Sequence, residues 1–271
     1  MNTFLEIAKK AAYQAGEFLL TSLDGTREIH YKGKGHYNPF SQIDEKAETI
    51  ILGAITSAFP EHNFISEERG KKITASDYTW IIDPLDGTIN FIHKYRYFSV
   101  SISLLYQDEA IVGVIYNPLV NEMFTAVKDR GAYLNEKRIK VSPTAGMDKS
   151  LLSMGFPYDR NSEAFSQSVK NFIRLVRDCQ ALRRDGSTAL DLCSVACGRY
   201  DGFSITGNEV WDYAAGTLIV TEAGGKVTDF KGNPFHVNNT NNEVLATNGK
   251  IHELIVKRFA EEDLHGQRNP D

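Results

Sequence analysis

The sequence has few of the features that mark disulfide-rich, membrane-spanning or nucleic-acid-binding proteins. Its three cysteines, Cys179, Cys193 and Cys197, are an odd number without a CxxC pair, so we expect no disulfide scaffold and a reducing, cytoplasmic location. No uncharged apolar run approaches the roughly 20 residues of a membrane helix, and no basic stretch precedes an apolar run as in a secretory signal. The net charge of −5 indicates no broad basic surface, so a nucleic-acid partner is not expected.

Apolar residues are plentiful, at 42% of the 271 residues. Their spacing divides the chain into two halves with different predicted secondary structure. Residues 1–145 combine helices with a run of strands and predict an α+β half. Residues 146–271 alternate helices with strands and predict an α/β half. The connection near residue 145 is short, so we expect either one large domain or two intimately packed ones.

The periodicity of the apolar residues predicts the individual elements. An amphipathic helix is predicted over 4–19, and a second helix with Asp44 at its N-cap is predicted to end before Pro60. Further helices are predicted over 162–177, 188–198, 212–223 and 250–261. Strands are predicted over 62–66, 78–82, 98–106, 110–116 and 122–127, and near 151–154, 200–205, 226–229 and 243–247.

The most informative segment is WIIDPLDGTINF, residues 80–91. An apolar strand delivers Asp83, a proline is expected to force a turn, and Asp86 follows before Gly87 and Thr88 begin a helical turn. Two carboxylates at the end of a buried strand are costly unless a positive charge compensates them. Carboxylate oxygens suit Mg²⁺, and the N–H groups of Gly87 and Thr88 suit a phosphate group.

Two further acidic elements fit the same kind of site. Glu67 and Glu68 follow a short apolar strand, and Asp212 is predicted to open a helix. Taken alone, Asp212 is better explained as a helix cap, because aspartate is favoured at that position. The combination of the three segments changes that interpretation.

The segments SEE, DPLDGTINF and WDYAAGTLIVTEAGG, in that order, resemble the inositol monophosphatase family of lithium-sensitive, magnesium-dependent phosphatases. The resemblance spans the chain from its first predicted helix to its last predicted strand. It implies the layered αβαβα sugar-phosphatase fold, a homodimer, two or three Mg²⁺ ions per site and inhibition by lithium. It also implies a small phosphorylated substrate.

The resemblance assigns the metal ligands. It implies that Glu67, Asp83 and the Leu85 carbonyl bind the first ion, with Glu67 also touching a weaker third ion. It implies that Asp83, Asp86 and Asp212 bind the second ion. One ion then lowers the pKa of the attacking water, and the other neutralises the leaving oxygen.

The resemblance also assigns the residues around the attacking water. It implies that Thr88, with Asp44 hydrogen-bonded behind it, orients this water and helps to deprotonate it. The N–H groups of Gly87 and Thr88 would hold the phosphate, and Glu68 would support the site through a water molecule.

The residues expected on the substrate side depart in part from the family pattern. These substrate-side residues are Glu68, Asn90, Arg184, Ser187, Thr188, Ala189, Ile205 and Glu209. Ile205 stands where the inositol-specific members carry a glutamate, and Glu209 where many carry a histidine. The loss of a hydroxyl acceptor at Ile205 should weaken selection for inositol. Upstream, Asn38 replaces an acid, and either Lys32 or Lys34 would be the lysine that approaches the metal site.

These departures leave several functions open. The leading hypothesis is a Mg²⁺-dependent phosphatase acting on inositol monophosphate or a related small phosphate monoester. The alternatives are an NADP(H) phosphatase, a broad-specificity or fructose-1,6-bisphosphatase-like enzyme, and a phosphoadenosine-phosphate phosphatase. A regulatory protein that binds RNA polymerase or RNA on the same fold is a further hypothesis, because function lies in the site and not in the fold.

Overall fold

The computed structural model describes residues 2–25, 29–31, 39–237 and 242–261. Seven α-helices run through these residues: α1 (Asn2–Ser22), α2 (Gln42–Ala58), α3 (Thr88–Ile92), α4 (Glu163–Asp178), α5 (Thr188–Ala196), α6 (Val210–Glu222) and α7 (His252–Ala260). The strands of the same ranges are β1 (Ile29–Tyr31), β2 (Pro39–Ser41), β3 (Asn63–Ser66), β4 (Gly70–Lys72), β5 (Tyr78–Asp86), β6 (Ser99–Tyr106), β7 (Glu109–Asn117), β8 (Glu122–Val127), β9 (Ala132–Leu134), β10 (Lys137–Arg138), β11 (Leu151–Met154), β12 (Ala181–Arg183), β13 (Gly202–Thr206), β14 (Lys226–Thr228) and β15 (Glu243–Thr247). A 3₁₀ turn spans Met147–Lys149.

The strands form two large sheets. The first has eight strands in the order β10-β9-β8-β7-β6-β5-β3-β4, and β3 and β5 pair in parallel within it. The second has five strands in the order β12-β11-β13-β15-β14. A separate pair, β1 and β2, lies next to α2 along the chain.

Helices cover both faces of each sheet and give five layers. The pair α1 and α2 packs on one face of the first sheet, and the pair α5 and α6 fills the space between the two sheets. The pair α4 and α7 packs on the outer face of the second sheet. The predicted αβαβα fold is therefore confirmed. The predicted division near residue 145 stays a prediction.

The apolar patterns explain where each helix lies. In α1, Ala8, Ala11, Ala12, Ala15 and Leu19 are all fully buried, which is one stripe of an amphipathic helix. In contrast, α6 is apolar on every side, because it lies between two sheets, and its residues 213–220 are all buried. None of the helices in the described residues combines the length and apolar character that a bilayer-spanning segment needs.

The structure corrects three local predictions. Asp44 is not the N-cap of α2, because Ser41 takes that position and Asp44 is the third residue of the first turn. Asp212 does not open α6 either, since Glu209 is the N-cap and Asp212 is again the third residue. The chain does not turn at Pro84, because β5 continues through it to Asp86.

Short elements were absent from the predictions. They are the strands β1, β2, β4, β9, β10 and β12 and the 3₁₀ turn. Two to three residues are too few to show a periodicity. Whether such a short segment forms a strand depends on the strand with which it pairs. The predictions on Lys32, Lys34 and Asn38 lie outside the described residues.

Candidate metal centre and active site

Three carboxylates from the two halves of the chain meet at one point. Asp83 and Asp86 come from the end of β5, and Asp212 comes from the first turn of α6. One oxygen of each lies within 4.8 Å of the others, and Asp83 and Asp86 are buried. They line a cavity of about 530 Å³, together with Glu67, which follows the neighbouring parallel strand β3.

An irregularity in β5 brings Asp83 and Asp86 to the same side. Residues three apart on a regular strand point to opposite faces. Here Asp83 pairs with Ser101 and Asp86 with Ser99, so β5 holds one residue more than β6 in this interval. Such a bulge re-aims a side chain, and it also tolerates Pro84, which has no N–H group for the ladder.

The N-terminus of α5 holds the Asp86 carboxylate. The Thr188 N–H donates to its Oδ1 at 3.1 Å, and the Ala189 N–H donates to its Oδ2 at 3.0 Å. The hydroxyl of Ser187, the N-cap of α5, and the Ser99 hydroxyl also donate to Oδ2. A carboxylate is favoured at a helix N-terminus, where unpaired N–H groups and the helix dipole are positive.

Asp44 and Asp212 occupy equivalent places in two other helices. The Asp44 Oδ2 accepts the Ser41 N–H at 2.9 Å and the Ser41 hydroxyl at 2.7 Å. The Asp212 Oδ2 accepts the Glu209 N–H at 2.9 Å. Each carboxylate thus completes a capping box and keeps its other oxygen for the site. The first turns of α2, α5 and α6 therefore converge on one acidic centre.

Thr88 joins this centre to Asp44. Its Oγ1 lies 3.3 Å from Asp44 Oδ1 and 3.0 Å from the Leu85 carbonyl, and it can donate to either. The preceding Gly87 has a φ of +93°, and a Cβ there would lie 3.0 Å from the Tyr97 carbonyl. Both the backbone conformation and the available space therefore require glycine beside Thr88.

Burial and mutual repulsion raise the pKa values of the acidic residues. Burial, followed by the negative charges of Glu67, Asp86 and Asp212, raises the pKa of Asp83 well above its usual range. Burial and the charges of Glu67 and Asp86 do the same to the pKa of Asp212. Burial raises the pKa of Asp86 to about 6 against the hydrogen bonds from α5, and burial raises the pKa of Asp44 to about 6.

These residues fit a divalent cation. Carboxylate oxygens are hard donors of the type that Mg²⁺ prefers, and Mg²⁺ uses few of them beside waters or substrate oxygens. A bound cation would stabilise together the charged forms that burial disfavours in Asp83, Asp86 and Asp212. Leu85 and Glu67 line the same cavity, and the Leu85 carbonyl and the Glu67 carboxylate are of the oxygen type that such a cation accepts.

The loop of Ser187, Thr188 and Ala189, which was expected on the substrate side, contacts mainly Asp86. Ser187 and Ala189 are buried, and their donors bind Asp86. Thr188 also accepts a hydrogen bond from the Asn208 amide at 3.0 Å and lines a small cavity next to the acidic cluster. The main partner of this loop is therefore the carboxylate of Asp86.

Two other expected substrate-side residues have structural partners. The Asn90 amide donates to the Tyr97 carbonyl at 2.7 Å and to the Asp185 carbonyl at 2.8 Å. The Glu68 N–H donates to Glu48 at 2.9 Å. Neither Asn90 nor Glu68 is among the described residues that line the metal-site cavity.

Ile205, Glu209 and Arg184 lie around the cavities. Ile205 is buried and packs closely on Gly155. A Cβ added to Gly155 would lie 2.1 Å from the Cδ1 of Ile205. Glu209 is exposed and lines the metal-site cavity. Arg184 lines the small cavity next to Asp86 and a larger neighbouring cavity of about 670 Å³.

The larger cavity has mostly apolar walls. Its walls include Ile89, Ile92, Phe156 and Phe165, and Arg184 brings a positive charge. Pro157 and Tyr158 line both this cavity and the metal-site cavity, so the two spaces are neighbours.

Ser99 and Tyr158 lie at the site and were not predicted from the sequence. Ser99 reaches Asp86 across the β5–β6 pair, and the alternation of serines in β6 was a signal that could have pointed to a polar face. Tyr158 lies in an irregular segment between β11 and α4, where no periodicity indicates a role. Asn208, which binds Thr188, had no sequence signal either.

The layered fold and the acidic centre are those of a known protein family. The model of the inositol monophosphatase family matches residues 1–264, and the chain belongs to this family. An inositol-1-monophosphatase of Synechocystis sp. is 42% identical over 261 residues, which cover 96% of this chain and 90% of that protein. The Nus factor SuhB of Escherichia coli is 36% identical over 264 residues, or 97% of each chain.

Solved structures agree with this membership. The inositol monophosphatase of Anabaena (Nostoc) sp. superposes with a TM-score of 0.84 at 40% identity, over 95% of each chain. The extragenic suppressor protein suhB of Bartonella henselae superposes with a TM-score of 0.89 at 34% identity, over 96% of this chain and 99% of that one. The predicted family is therefore confirmed.

Proposed function

We propose that this protein is a Mg²⁺-dependent phosphatase that hydrolyses inositol monophosphate or a related small phosphate monoester. The observation that supports it is the position of Thr88 and Asp44 beside the Asp83, Asp86 and Asp212 cluster. A phosphate monoester is a dianion, so a cavity lined with carboxylates would repel it unless cations intervene.

Five residues would hold the ions. Glu67, Asp83 and the Leu85 carbonyl would hold the first, and Asp83, Asp86 and Asp212 the second. Bound Mg²⁺ supplies Lewis-acid stabilisation and lowers the pKa of a coordinated water. Glu67 would also contribute to a third ion, as the family resemblance implies.

The chain's own residues would orient the attacking water and accept its proton. When Thr88 donates its hydroxyl hydrogen to Asp44 Oδ1, 3.3 Å away, the lone pairs of its Oγ1 would be available to this water. Asp44 is kept in place by its two bonds to Ser41, so it can act as the proton acceptor behind Thr88. The N–H groups of Gly87 and Thr88, at the start of α3, would bind the phosphate oxygens.

The direct attack of water needs no covalent intermediate. Asp44 and Thr88 are both buried, which limits competing hydration of the proton-accepting pair. The clustered carboxylates would repel the phosphate dianion until cations bind, so turnover would depend on added cation.

A larger substrate is the second candidate. The 670 Å³ cavity beside the metal site has apolar walls and carries Arg184, a combination that a small polyol does not require. Arginine suits a second phosphate group. With Ile205 buried, this favours NADP(H) or a broad specificity that includes fructose 1,6-bisphosphate and phosphoadenosine phosphate over strict inositol specificity.

Further properties of the family belong to this proposal. We expect a cytoplasmic homodimer, since two-fold oligomers are the commonest kind, and inhibition by millimolar lithium at the second metal site. The relatives named Nus factor SuhB support a regulatory role as an additional candidate. Such a role would not require the intact carboxylate cluster.

The test is phosphate release with and without Mg²⁺ from four compounds: inositol 1-phosphate, NADP, fructose 1,6-bisphosphate and phosphoadenosine phosphate. The Asp86→Asn variant is measured alongside, with Asp108→Asn at a distant β-turn as its matched control. Mg²⁺-dependent release that only Asp86→Asn abolishes supports the proposal, and the ranking names the substrate class. Turnover that persists equally in metal-free buffer would contradict it.

A further inference from the structure

Glu48 is a fully buried carboxylate that lies outside the metal cluster. It belongs to α2 and is 0% exposed. Its Oε1 accepts the N–H of Glu68 at 2.9 Å and the N–H of Arg69 at 3.3 Å. A buried carboxylate is costly unless hydrogen bonds stabilise it, so these two bonds fasten the turn after β3 to the helix.

Arg69 adds only a weak contact to this arrangement. Its Nε lies 3.5 Å from Glu48 Oε2, and its side chain is 52% exposed. It also donates from Nη2 to the Thr49 hydroxyl at 2.7 Å. At 3.5 Å this contact is longer than an ordinary hydrogen bond, and Oε2 has no hydrogen-bond partner among the described residues, so the backbone bonds to Oε1 are the main link.

The fastened turn carries Glu67. The Glu67 N–H donates to the Ile82 carbonyl at 3.2 Å, next to Asp83. The turn is thus attached to β5 on one side through Ile82 and to α2 on the other through Glu48. Between these two attachments the Glu67 side chain lines the metal-site cavity.

The same face of α2 also carries Asp44. Residues four apart on a helix lie one above the other, so Asp44 and Glu48 project in the same direction. Asp44 contacts Thr88, and Glu48 contacts the Glu67 turn. One helix therefore sets the distance between the proton-accepting pair and a metal ligand.

We infer that Glu48 is a positioning residue, which holds the backbone after Glu67 so that the Glu67 carboxylate faces the Asp83, Asp86 and Asp212 cluster. This inference rests on the proposed function, in which Glu67 binds a metal ion. Glu48 itself touches neither substrate nor metal. Residues that orient metal ligands in this way typically change metal affinity by about 10- to 100-fold when they are replaced.

Two conservative substitutions separate positioning from charge. Glu48→Gln removes the charge and keeps an oxygen at the same reach, which can still accept both N–H groups. Glu48→Asp keeps the charge and withdraws the carboxylate by one methylene. If Glu48 acts by positioning, Glu48→Gln should bind Mg²⁺ like the wild type and Glu48→Asp should bind it more weakly. If only the charge of Glu48 matters, Glu48→Gln should bind Mg²⁺ more weakly and Glu48→Asp should bind it like the wild type. Glu45→Ala, an exposed position of the same helix, is the matched control.

The measurements are Mg²⁺ binding by titration calorimetry and hydrogen exchange of the Glu68 and Arg69 amides, on the full chain. We expect Glu48→Asp to weaken Mg²⁺ binding about 10- to 100-fold and to speed exchange of both amides. We expect Glu48→Gln and Glu45→Ala to stay within about threefold of the wild type in binding, which is well below that effect. In the kinetic assay, Glu48→Asp should raise the Mg²⁺ activation constant and leave kcat at saturating Mg²⁺ nearly unchanged.

The outcomes separate this inference from the proposed function. Mg²⁺ binding that is equally tight in Glu48→Asp and the wild type, or that is weakened only by Glu48→Gln, would overturn the role of Glu48 alone. A wild type that binds no Mg²⁺ would contradict the proposed function, and with it a metal role for this turn. Thermal unfolding of each variant checks that the protein is folded during the measurement.

Discussion

Replacing Asp44 by asparagine should separate its structural role from its chemical one. The Asp44 Oδ2 accepts two hydrogen bonds from Ser41, and the amide oxygen of an asparagine can accept both. The amide nitrogen would then face Thr88 Oγ1 in place of Oδ1. The Thr88 hydroxyl would donate to the Leu85 carbonyl, 3.0 Å away, so that every buried polar group keeps a partner.

The expected effects on stability and catalysis have opposite signs. Because burial raises the pKa of Asp44 from 3.8 to about 6, the ionised carboxylate destabilises the fold above that pH. Asparagine removes the unfavourable free energy of this buried charge. The metal-free variant should therefore be as stable as the wild type at pH 7.5, or more stable by at most about 3 kcal/mol. The variant has lost its proton acceptor, so kcat should fall by about 10²- to 10⁴-fold.

The assay combines kinetics with a double-mutant cycle. Asp44→Asn, Thr88→Ala and the double variant are compared for kcat, for the KM of the substrate and for urea unfolding. Because the two residues act as one unit, the double variant should be no slower than the slower single variant. Glu45→Gln, the same acid-to-amide change at an exposed position of the same helix, is the control: it should retain most of the stability and of kcat. A kcat above a tenth of the wild-type value in Asp44→Asn, or multiplicative losses in the double variant, would show that Asp44 and Thr88 do not act as one proton-accepting unit.

Three further predictions concern stability and metal binding at other positions. Gly87→Ala should destabilise the protein by more than about 1 kcal/mol in urea unfolding and lower kcat, because it adds a Cβ at a φ of +93° against the Tyr97 carbonyl; unchanged values would show that this backbone is not constrained. Ser187→Ala should lower stability by about 1 to 3 kcal/mol and weaken Mg²⁺ binding in calorimetry, because it removes the cap of α5 and a hydrogen bond to Asp86. Burial, reinforced by the charge of Lys226, lowers the pKa of His252 from 6.5 to about 4, so its stabilising effect is complete above pH 6.5 and is lost as the pH falls toward 4. In thermal unfolding, His252→Gln should flatten the loss of stability across that window, and an unaltered slope would count against the pKa shift.

The sequence predicted the long elements of the fold and the identity of the acidic cluster. The alanine stripe of α1 and the alternation of β6 have enough length to show a period. Asp83 and Asp86 were placed at the end of a buried strand from the local pattern alone, and the structure brings them together with Asp212. Local patterns are informative there because the polypeptide itself holds these residues close to one another.

Contacts between distant segments could not be predicted in this way. Nothing near Asp86 in the chain indicates that α5, about a hundred residues later, would bind its carboxylate. The bulge in β5 depends on the partner strand β6 as much as on Pro84. The capping box of α2 is different, because Ser41 and Asp44 have the spacing of a known helix start and could have been recognised.

The proposed function depends on cations held by the carboxylate cluster. The most direct test is calorimetric titration of Mg²⁺ into the wild type and into Asp212→Asn, with phosphate release measured on the same samples. We expect the wild type to bind Mg²⁺ and to release phosphate only when Mg²⁺ is bound. We expect Asp212→Asn to lose both together, because amide replacement removes one of three clustered carboxylates. Phosphate release at the wild-type rate from Asp212→Asn, or from wild type that binds no Mg²⁺, would contradict it.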